Sequence, residues 1–336
     1  MTVLEMKTAS ALRAEPVAID WHPGLPIFAS EAFLKTVASE YGWIGGRDES
    51  GQLRCILPYT VVRKPGVRMI RFRLETTPWQ GTLDEAEEQS FLNAVIEYLR
   101  STGADMVIPS GNTALFRTYP AGALAAPYGT FENDLTQTED QLMAAIRKTY
   151  RNNIRRAEKA GVQIKTGHEY LDASYHLVAD TLKRSDVGFK SYDEFKRTIA
   201  TLGGHIKIFV AEHEGVVQGA LVSPFSEHTA YNWYCGSRPE PVLGSMHLLH
   251  WEAMRQFRAM GVKRFNFQGV RIDPEKGSKQ EGIMNYKKGF GGALVQGYMW
   301  KYRFHALKWA AYSMAVRLLQ GGDVVDQERA KMATHS

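Results

Sequence analysis

The chain has 336 residues, 44% of them hydrophobic and 23% charged, with a formal net charge of +5. That balance suits one large or two ordinary folded domains and excludes a disordered chain, while 30 Gly and 13 Pro exclude a collagen-like or low-complexity one. No apolar run reaches the roughly 18 residues needed to span a bilayer, so no stable membrane insertion is expected. The excess of cations leans weakly toward anionic partners. Met1 to Ala11 carries Glu5 and Lys7 without an apolar core, so no secretory leader is expected. Cys55 and Cys235 lie far apart and suggest neither a disulfide framework nor a zinc site, and a cytoplasmic location follows as the expectation.

In chain order, Glu31 to Glu40 reads as a short helix opened by Ser30. Tyr41 to Gly46 and Leu53 to Arg63 read as strands around the turn Asp48-Glu49-Ser50-Gly51. Met69 to Glu75 alternates as a strand. Asp84 to Ser101 reads as a helix with acids in its first turn, and Asp105 to Pro109 as a short buried strand. Thr138 to Lys159 reads as one helix, with Thr138 and Gln141 as a capping box and Gly161 as the stop. Val162 to Thr166 is a strand, and Leu171 to Arg184 and Tyr192 to Leu202 are helices. Ile206 to Glu212, Val216 to Phe225 and Thr229 to Tyr234 are strands. Ser245 to Gly261 is a helix and Arg264 to Gln268 a strand. Val295 to Tyr302 is the last strand, Leu307 to Leu319 the last helix, and the polar chain after Gln320 is expected to fray. A mixed α/β pattern appears twice, which places one domain at 1–135 and a second at 136–305, with a C-terminal helical part, 306–336, that packs back on the first.

Two segments carry most of the chemistry. In the first, Leu142, Ile146, Tyr150 and Ile154 form an apolar stripe at helical spacing. Lys148, Arg151, Arg155 and Lys159 form a second stripe flanked by Arg147 and Arg156, with Glu158 the one acid among them. Such a face repels itself unless something anionic meets it, and phosphates fit guanidinium forks. The alternative is a solvated helix balanced by acids elsewhere. In the second segment, Tyr286-Lys287-Lys288 lies between Gly282 and the cluster Gly289, Gly291, Gly292. Glycines let a backbone approach a ligand closely. A fixed cation there lowers the barrier to a tetrahedral oxyanion in acyl transfer. Lys288 is the rival to Lys287, and both as solvated loop charges is the plain alternative.

These segments, with Ile208-Phe209-Val210-Ala211-Glu212, Glu214-Gly215, Gly219-Ala220-Leu221 and Phe265-Asn266-Phe267-Gln268-Gly269-Val270, resemble the Fem-type (FemABX) aminoacyltransferases across roughly residues 30 to 305. Asn285-Tyr286-Lys287-Lys288-Gly289-Phe290-Gly291-Gly292 is the most specific piece. The resemblance implies an α/β (α+β) fold of two acetyltransferase-like (GNAT) domains in tandem, each a mixed, mostly antiparallel sheet flanked by helices. It implies amide-forming transfer of an amino acid from aminoacyl-tRNA to the amine of a peptidic acceptor, either a peptidoglycan precursor or a small peptide natural product. It also implies catalytic roles for Lys287 and Tyr286. Arg147, Lys148, Arg151, Arg155, Arg156 and Lys159 would hold tRNA, and Lys35, Lys190 and Arg184 would hold the acceptor.

The ester donor is already activated, so no cofactor and no metal are expected. His247 and His250 lie one helical turn apart without an evident third ligand. Cys235 reads as an inert buried thiol, Trp233 as a core residue, and Trp79 as a ring able to stack on a base. No G-x-S-x-G elbow or Walker lysine is present in the sequence. Arg238-Pro239-Glu240-Pro241-Val242-Leu243-Gly244-Ser245 departs from the acetyltransferase pyrophosphate signature, which disfavours coenzyme A in the second domain. Transfer from acyl-CoA or an acyl carrier is the alternative enzymatic reading, and RNA binding without catalysis the non-enzymatic one.

Overall fold

The structure, a computed structural model, describes residues 11–111 and 113–334. The expectation of no leader falls almost wholly on residues outside these. In chain order the first elements are β1 (Arg13–Val17), α1 (Glu31–Val37), β2 (Tyr41–Arg47), β3 (Leu53–Lys64), β4 (Val67–Phe72), β5 (Thr77–Pro78), α2 (Glu85–Ser101), β6 (Met106–Val107) and β7 (Leu124–Asp134). Next come α3 (Glu139–Ala145), α4 (Lys148–Lys159), β8 (Gln163–Thr166), α5 (Leu171–Lys183), α6 (Tyr192–Leu202), β9 (Ile206–His213), β10 (Val216–Pro224), β11 (Ala230–Tyr231), β12 (Tyr234–Ser237) and α7 (Ser245–Ala259). β13 (Arg264–Val270), α8 (Lys279–Lys288), β14 (Ala293–Arg303), α9 (Ala306–Gln320) and α10 (Val324–Thr334) follow.

The chain forms two compact units, each discontinuous in sequence. The first comprises described residues 11–20, 37–129 and 296–334, and the second Trp21–Thr36 and Thr130–Val295.

In the first unit β1, β2, β3 and β4 pair antiparallel in sequence order, β6 joins β4 in parallel, and β14 closes antiparallel on β6. The β2–β3 turn forms because the Asp48 carboxylate accepts the backbone N–H groups of Ser50 and Gln52. Asp84 and Glu87 cap α2 reciprocally. Phe91, Leu92, Val95, Ile96 and Leu99 recur on one face of α2 and are buried, each stabilising by about 1.5–3 kcal/mol. They pack with Ile44, Leu57, Ile70, Phe72, Val107, Phe116 and Trp300.

The expected fraying after Gln320 is overturned, because residues 324–334 form α10. Lys301 is 1% exposed on β14, and a buried ammonium needs counter-charge. Asp323 and Asp326 supply it, at 2.8 and 2.6 Å. Val325 is buried against Ala126, Tyr128 and Met299.

In the second unit β8, β9, β10 and β12 form an antiparallel sheet, while β11 pairs in parallel with β13. The core gathers Phe131, Leu142, Ile146, Ile154, Phe209, Leu221, Leu248, Phe257, Phe265, Phe267 and Phe290.

Two expectations are corrected here. The single helix from Thr138 to Lys159 is two helices, α3 and α4. Ile146 and Arg147 take extended ψ values of 136° each, and the Arg147 N–H donates to Gly289 O instead of continuing the helix. The apolar stripe survives the break, since Leu142, Ile146, Tyr150 and Ile154 all meet the core. The single strand Thr229 to Tyr234 is also two pieces. β11 belongs with β13 and β12 with β10, and the chain changes partners at Asn232 and Trp233.

Candidate active site

The change of partners opens the second unit where β11 and β12 part. Polar groups collect there. Asn232 N–H still donates to Asn266 O, but its Oδ1 is buried without a hydrogen-bond partner. On β13, Gln268 is 7% exposed, and its Nε2 is likewise buried and unpartnered. Its φ of +60° is the left-handed region that non-glycine residues rarely occupy, and strain of this kind costs about 1–3 kcal/mol and collects at functional sites. The turn is fastened by Gln268 N–H donating to Asn266 Oδ1 at 2.6 Å, and Asn266 in turn donates to Glu132.

Lys287 closes this corner. It lies in the last turn of α8, whose Ser278 cap accepts from Glu281 N–H. Its Nζ donates to Gln268 O at 3.0 Å and Gly269 O at 2.9 Å. An ammonium has three donors, so one remains after these two. Burial pushes the Lys287 ammonium down to about 8. Lys288, the rival in sequence, is exposed.

Tyr286 points elsewhere. Its hydroxyl donates to Met246 O at 3.3 Å beside the His250 ring, and burial raises its phenol well above the usual value. His250 Nδ1 lies 2.8 Å from the same carbonyl. A carbonyl only accepts, which puts the proton on Nδ1 and leaves Nε2 bare, 3.9 Å from Cys235 Sγ. Burial holds His250 at about 4 and pushes the Cys235 thiol up to about 12. The thiol and imidazole are therefore both neutral at pH 7. Burial also lowers His247 to about 4, and its ring meets Tyr150 edge-on at 4.3 Å.

The glycines after Lys287 serve a purpose different from the expected ligand approach. A Cβ on Gly289 would lie 2.2 Å from the Tyr150 ring, one on Gly291 would lie 2.5 Å from Ala145 O, and one on Gly292 would lie 2.8 Å from Glu132 O. They let the end of α8 seat against the α3–α4 junction and β7. Gly291 also has φ +78°, so Gly291→Ala combines backbone strain with overlap against backbone. We expect Gly291→Ala to cost about 1–3 kcal/mol in urea unfolding. An unchanged midpoint would show that the junction relaxes freely.

The basic residues divide. Arg147, Lys148, Arg155, Arg156 and Lys159 are exposed. Arg147 lies over the Tyr150 ring, 5.6 Å from its centroid. Arg151 is engaged within the fold, since its Nη1 donates to Ala144 O at 2.9 Å and Ile146 O at 2.6 Å and satisfies the carbonyls where α3 ends.

Of the residues expected to hold the acceptor, Lys190 sits over an aromatic shelf. Its Nζ is 5.2 Å from the Trp233 centroid and 5.6 Å from that of Tyr234, and it donates to Thr198 Oγ1. Trp233, expected in the core, is half-buried and stacks on Tyr234 with centroids 4.3 Å apart. Phe33 of α1 meets Trp233 at 5.8 Å, which brings α1 to this shelf. Lys35, two residues on, forms an exposed 3.2 Å pair with Glu31, a contact that contributes little. Arg184 turns to Ser237 O at 2.7 Å and Thr181 Oγ1 at 2.9 Å.

Sequence reasoning missed Asn232 and the strained Gln268, although Gln268 stands inside a quoted motif. It weighed His250 only as a metal ligand, because its approach to Cys235 depends on α7 packing on β9 and β10, next to β12. Among the described residues no cluster of His, Cys, Asp and Glu is arranged to hold a metal ion, and no helix is long and apolar enough to cross a membrane.

Residues 144–288 match the family model of an acetyltransferase (GNAT) domain. The chain resembles the crystal structure of FemX, at 14% identity over 88% of this chain and 99% of that one, with a TM-score of 0.65. It also resembles the C-terminal domain of a putative lysylphosphatidylglycerol synthetase from Agrobacterium fabrum, at 16% identity over 85% and 91% of the two chains, with a TM-score of 0.50. A comparison with curated protein sequences gives no match. The fold and the matched domain define an acyltransferase of GNAT type. Its fold is that of a Fem-type GNAT-fold protein, as the sequence motifs implied.

Proposed function

We propose that the protein is an aminoacyl-tRNA-dependent aminoacyltransferase. It joins the tRNA-borne amino acid, through an amide bond, to the amine of a peptidic acceptor such as a peptidoglycan precursor or small peptide natural product. One observation carries this reading. The exposed cationic helix α4 and the lysine at the opened strands belong to one interlocked assembly. The Arg147 N–H donates to Gly289 O, and the Tyr150 hydroxyl donates to Asn285 O at 3.4 Å. RNA phosphates held along α4 thus have a fixed relation to the end of α8 that carries Lys287.

In this reaction the acceptor amine attacks the ester carbonyl of the donor. The carbonyl oxygen gains negative charge, and the free donor of Lys287 and the Nε2 of Gln268 stabilise it. The C–O bond to the tRNA then breaks, the ribose hydroxyl leaves with a proton, and the amide remains. Lys190, Lys35 and the aromatic shelf form the acceptor side. The ester supplies the driving force, so neither a cofactor nor a metal is part of the proposal.

The test is transfer of radiolabelled amino acids from charged total tRNA to a panel of amines, with and without ribonuclease, and with acetyl-CoA as a parallel donor. Ribonuclease-sensitive product supports the reading, and label moving only from acetyl-CoA overturns it. Substituting Arg155, Arg156 and Lys159 together by Ala should raise the donor KM about tenfold or more and flatten its salt dependence. Arg151 is left intact because it secures the α3 end. A kinetically silent triple variant would remove α4 from RNA binding.

A second reading is transfer from acyl-CoA or an acyl carrier. It draws on the acetyltransferase-domain match over residues 144–288 and not on the start of α7, where the Ser245 and His247 N–H groups already donate to Val242 O and Gly244 O. The acetyl-CoA arm decides between the two.

A further inference from the structure

The first unit contains a cavity of about 360 Å³ on the side of the sheet covered by α9 and α10. Arg71, Ser110, Tyr312, Gln320, Asp323 and Gln327 are among its lining residues. Its volume lies at the small end of ligand pockets, suited to a metabolite of amino-acid size.

Arg71 is the unusual member. Side chains alternate across a strand, so Arg71 shares a face of β4 with Met69, and Met69 packs with Met106, Ile108, Trp309 and Tyr312 under α9. A guanidinium is thereby carried into the apolar layer between sheet and helix. Its Nε is buried and has no hydrogen-bond partner. Among the described residues no carboxylate pairs with it. The acid in the lining, Asp323, is engaged by Lys301 at 2.8 Å. Burial lowers Arg71 from its ordinary value, which agrees with a cation lacking counter-charge. Lys301 in the same unit is 1% exposed and holds two carboxylates, whereas Arg71 is half-buried and holds none. Arg71 is a half-buried cation whose Nε is buried without a partner, beside a cavity with room for an anion.

We propose that this cavity binds a small organic anion, with a carboxylate or phosphate group seated on the Arg71 guanidinium. A planar fork pairs with either group through two parallel hydrogen bonds. The Tyr312 hydroxyl stands in the lining to add a further donor, while the Ser110 hydroxyl donates to Ala114 O. The far wall is the end of α9, its connection to α10 and the first turn of α10, Gln320 to Gln327. An anion on Arg71 therefore bridges β4 to that connection and steadies α10.

The experiment is titration of the full chain with acetate, inorganic phosphate and 3-phosphoglycerate at constant ionic strength, read by calorimetry and by hydrogen exchange at 320–327. The expected result is saturable binding of at least one probe with added protection at 320–327. Affinity should fall about tenfold or more in Arg71→Met, with Arg71→Lys intermediate. If Arg71→Met does not fold, Val316→Trp, which fills the cavity from α9, should abolish binding instead. Absence of saturable binding by all three probes overturns the proposal. So does binding unaffected by the variant that folds. Preference for acetate or for the phosphates distinguishes a carboxylate ligand from a phosphate one.

Discussion

Replacing Lys287 by Ala is expected to lower kcat about 10²–10³-fold while leaving the donor KM nearly unchanged. The interaction lost is made mainly to charge that develops during the reaction. The pH profile carries the sharper test. Burial holds the ammonium at about 8, against 10.5 for an ordinary lysine. The charged form thus dominates below about 8, and a rate carried by an oxyanion-binding ammonium falls as pH rises through that value. A neutral lysine acting as base gives the opposite slope.

Unfolding does not imitate this fall. Between about 8 and 10.5 the unfolded chain binds the proton that the folded chain has released, so the Lys287 contribution to stability rises with pH there. Single-turnover rates of wild type and Lys287→Ala between pH 6 and 10 settle the role. A wild-type rate that climbs past pH 8 would assign Lys287 to proton removal. Equal rates in the two proteins would remove it from the chemistry. Lys287→Arg should rescue poorly, because the broader guanidinium must fit against two carbonyls only 3.0 and 2.9 Å from the present Nζ.

The second large effect concerns Lys301. Changing Asp323 and Asp326 together to Asn leaves an ammonium 1% exposed without counter-charge. Breaking a buried pair from one side costs about 3–5 kcal/mol. Typical domain stability is only about 5–15 kcal/mol, so the loss should be plain in urea unfolding and should expose α10 to proteolysis. Adding Lys301→Met to the double variant removes the buried charge itself and should recover most of the loss, since the Met stem packs in the same space. A double variant as stable as wild type would show that water reaches Lys301 and that α10 is held by its other contacts, Val325 and the Arg329–Ala125 hydrogen bond among them.

The Asp323–Asp326 pair also shows where sequence patterning fails. After Gln320 the chain is polar and reads as loose. What folds it is the burial of Lys301 on β14, a partner about twenty residues earlier that period and composition do not connect to it. The break at Ile146 and Arg147 has the same origin. Locally the segment is good helix, with an intact apolar stripe, but Gly289 O and the seating of α8 draw the Arg147 N–H away. The glycine cluster after Lys287 was legible as a constraint on close approach. Only packing shows that the approaching groups are Tyr150, Ala145 and Glu132.

Some of the chemistry was local and could be read directly. Alternation and capping residues specified most strands and helices, including the Thr138–Gln141 box and α6, because propensity and burial agree there. The cationic character of α4 and the segment around Lys287 were visible for the same reason, since each is written in contiguous residues, whereas both compact units are assembled from separated stretches of chain. The arrangement of the site is not contiguous. Gln268 takes a left-handed backbone on β13, the Asn232 Oδ1 is buried without a partner where β11 and β12 separate, and Lys287 reaches both Gln268 and Gly269 from α8. His250 faces Cys235 because α7 packs on β9 and β10, next to β12, and Arg151 parts from the exposed basic residues of α4 because α3 ends beside it. A sequence by itself determines which groups are present and which local structure carries them. The tertiary structure decides which of them lose water, which find partners and which remain free to act, because desolvation and hydrogen-bond satisfaction depend on neighbours distant in the chain.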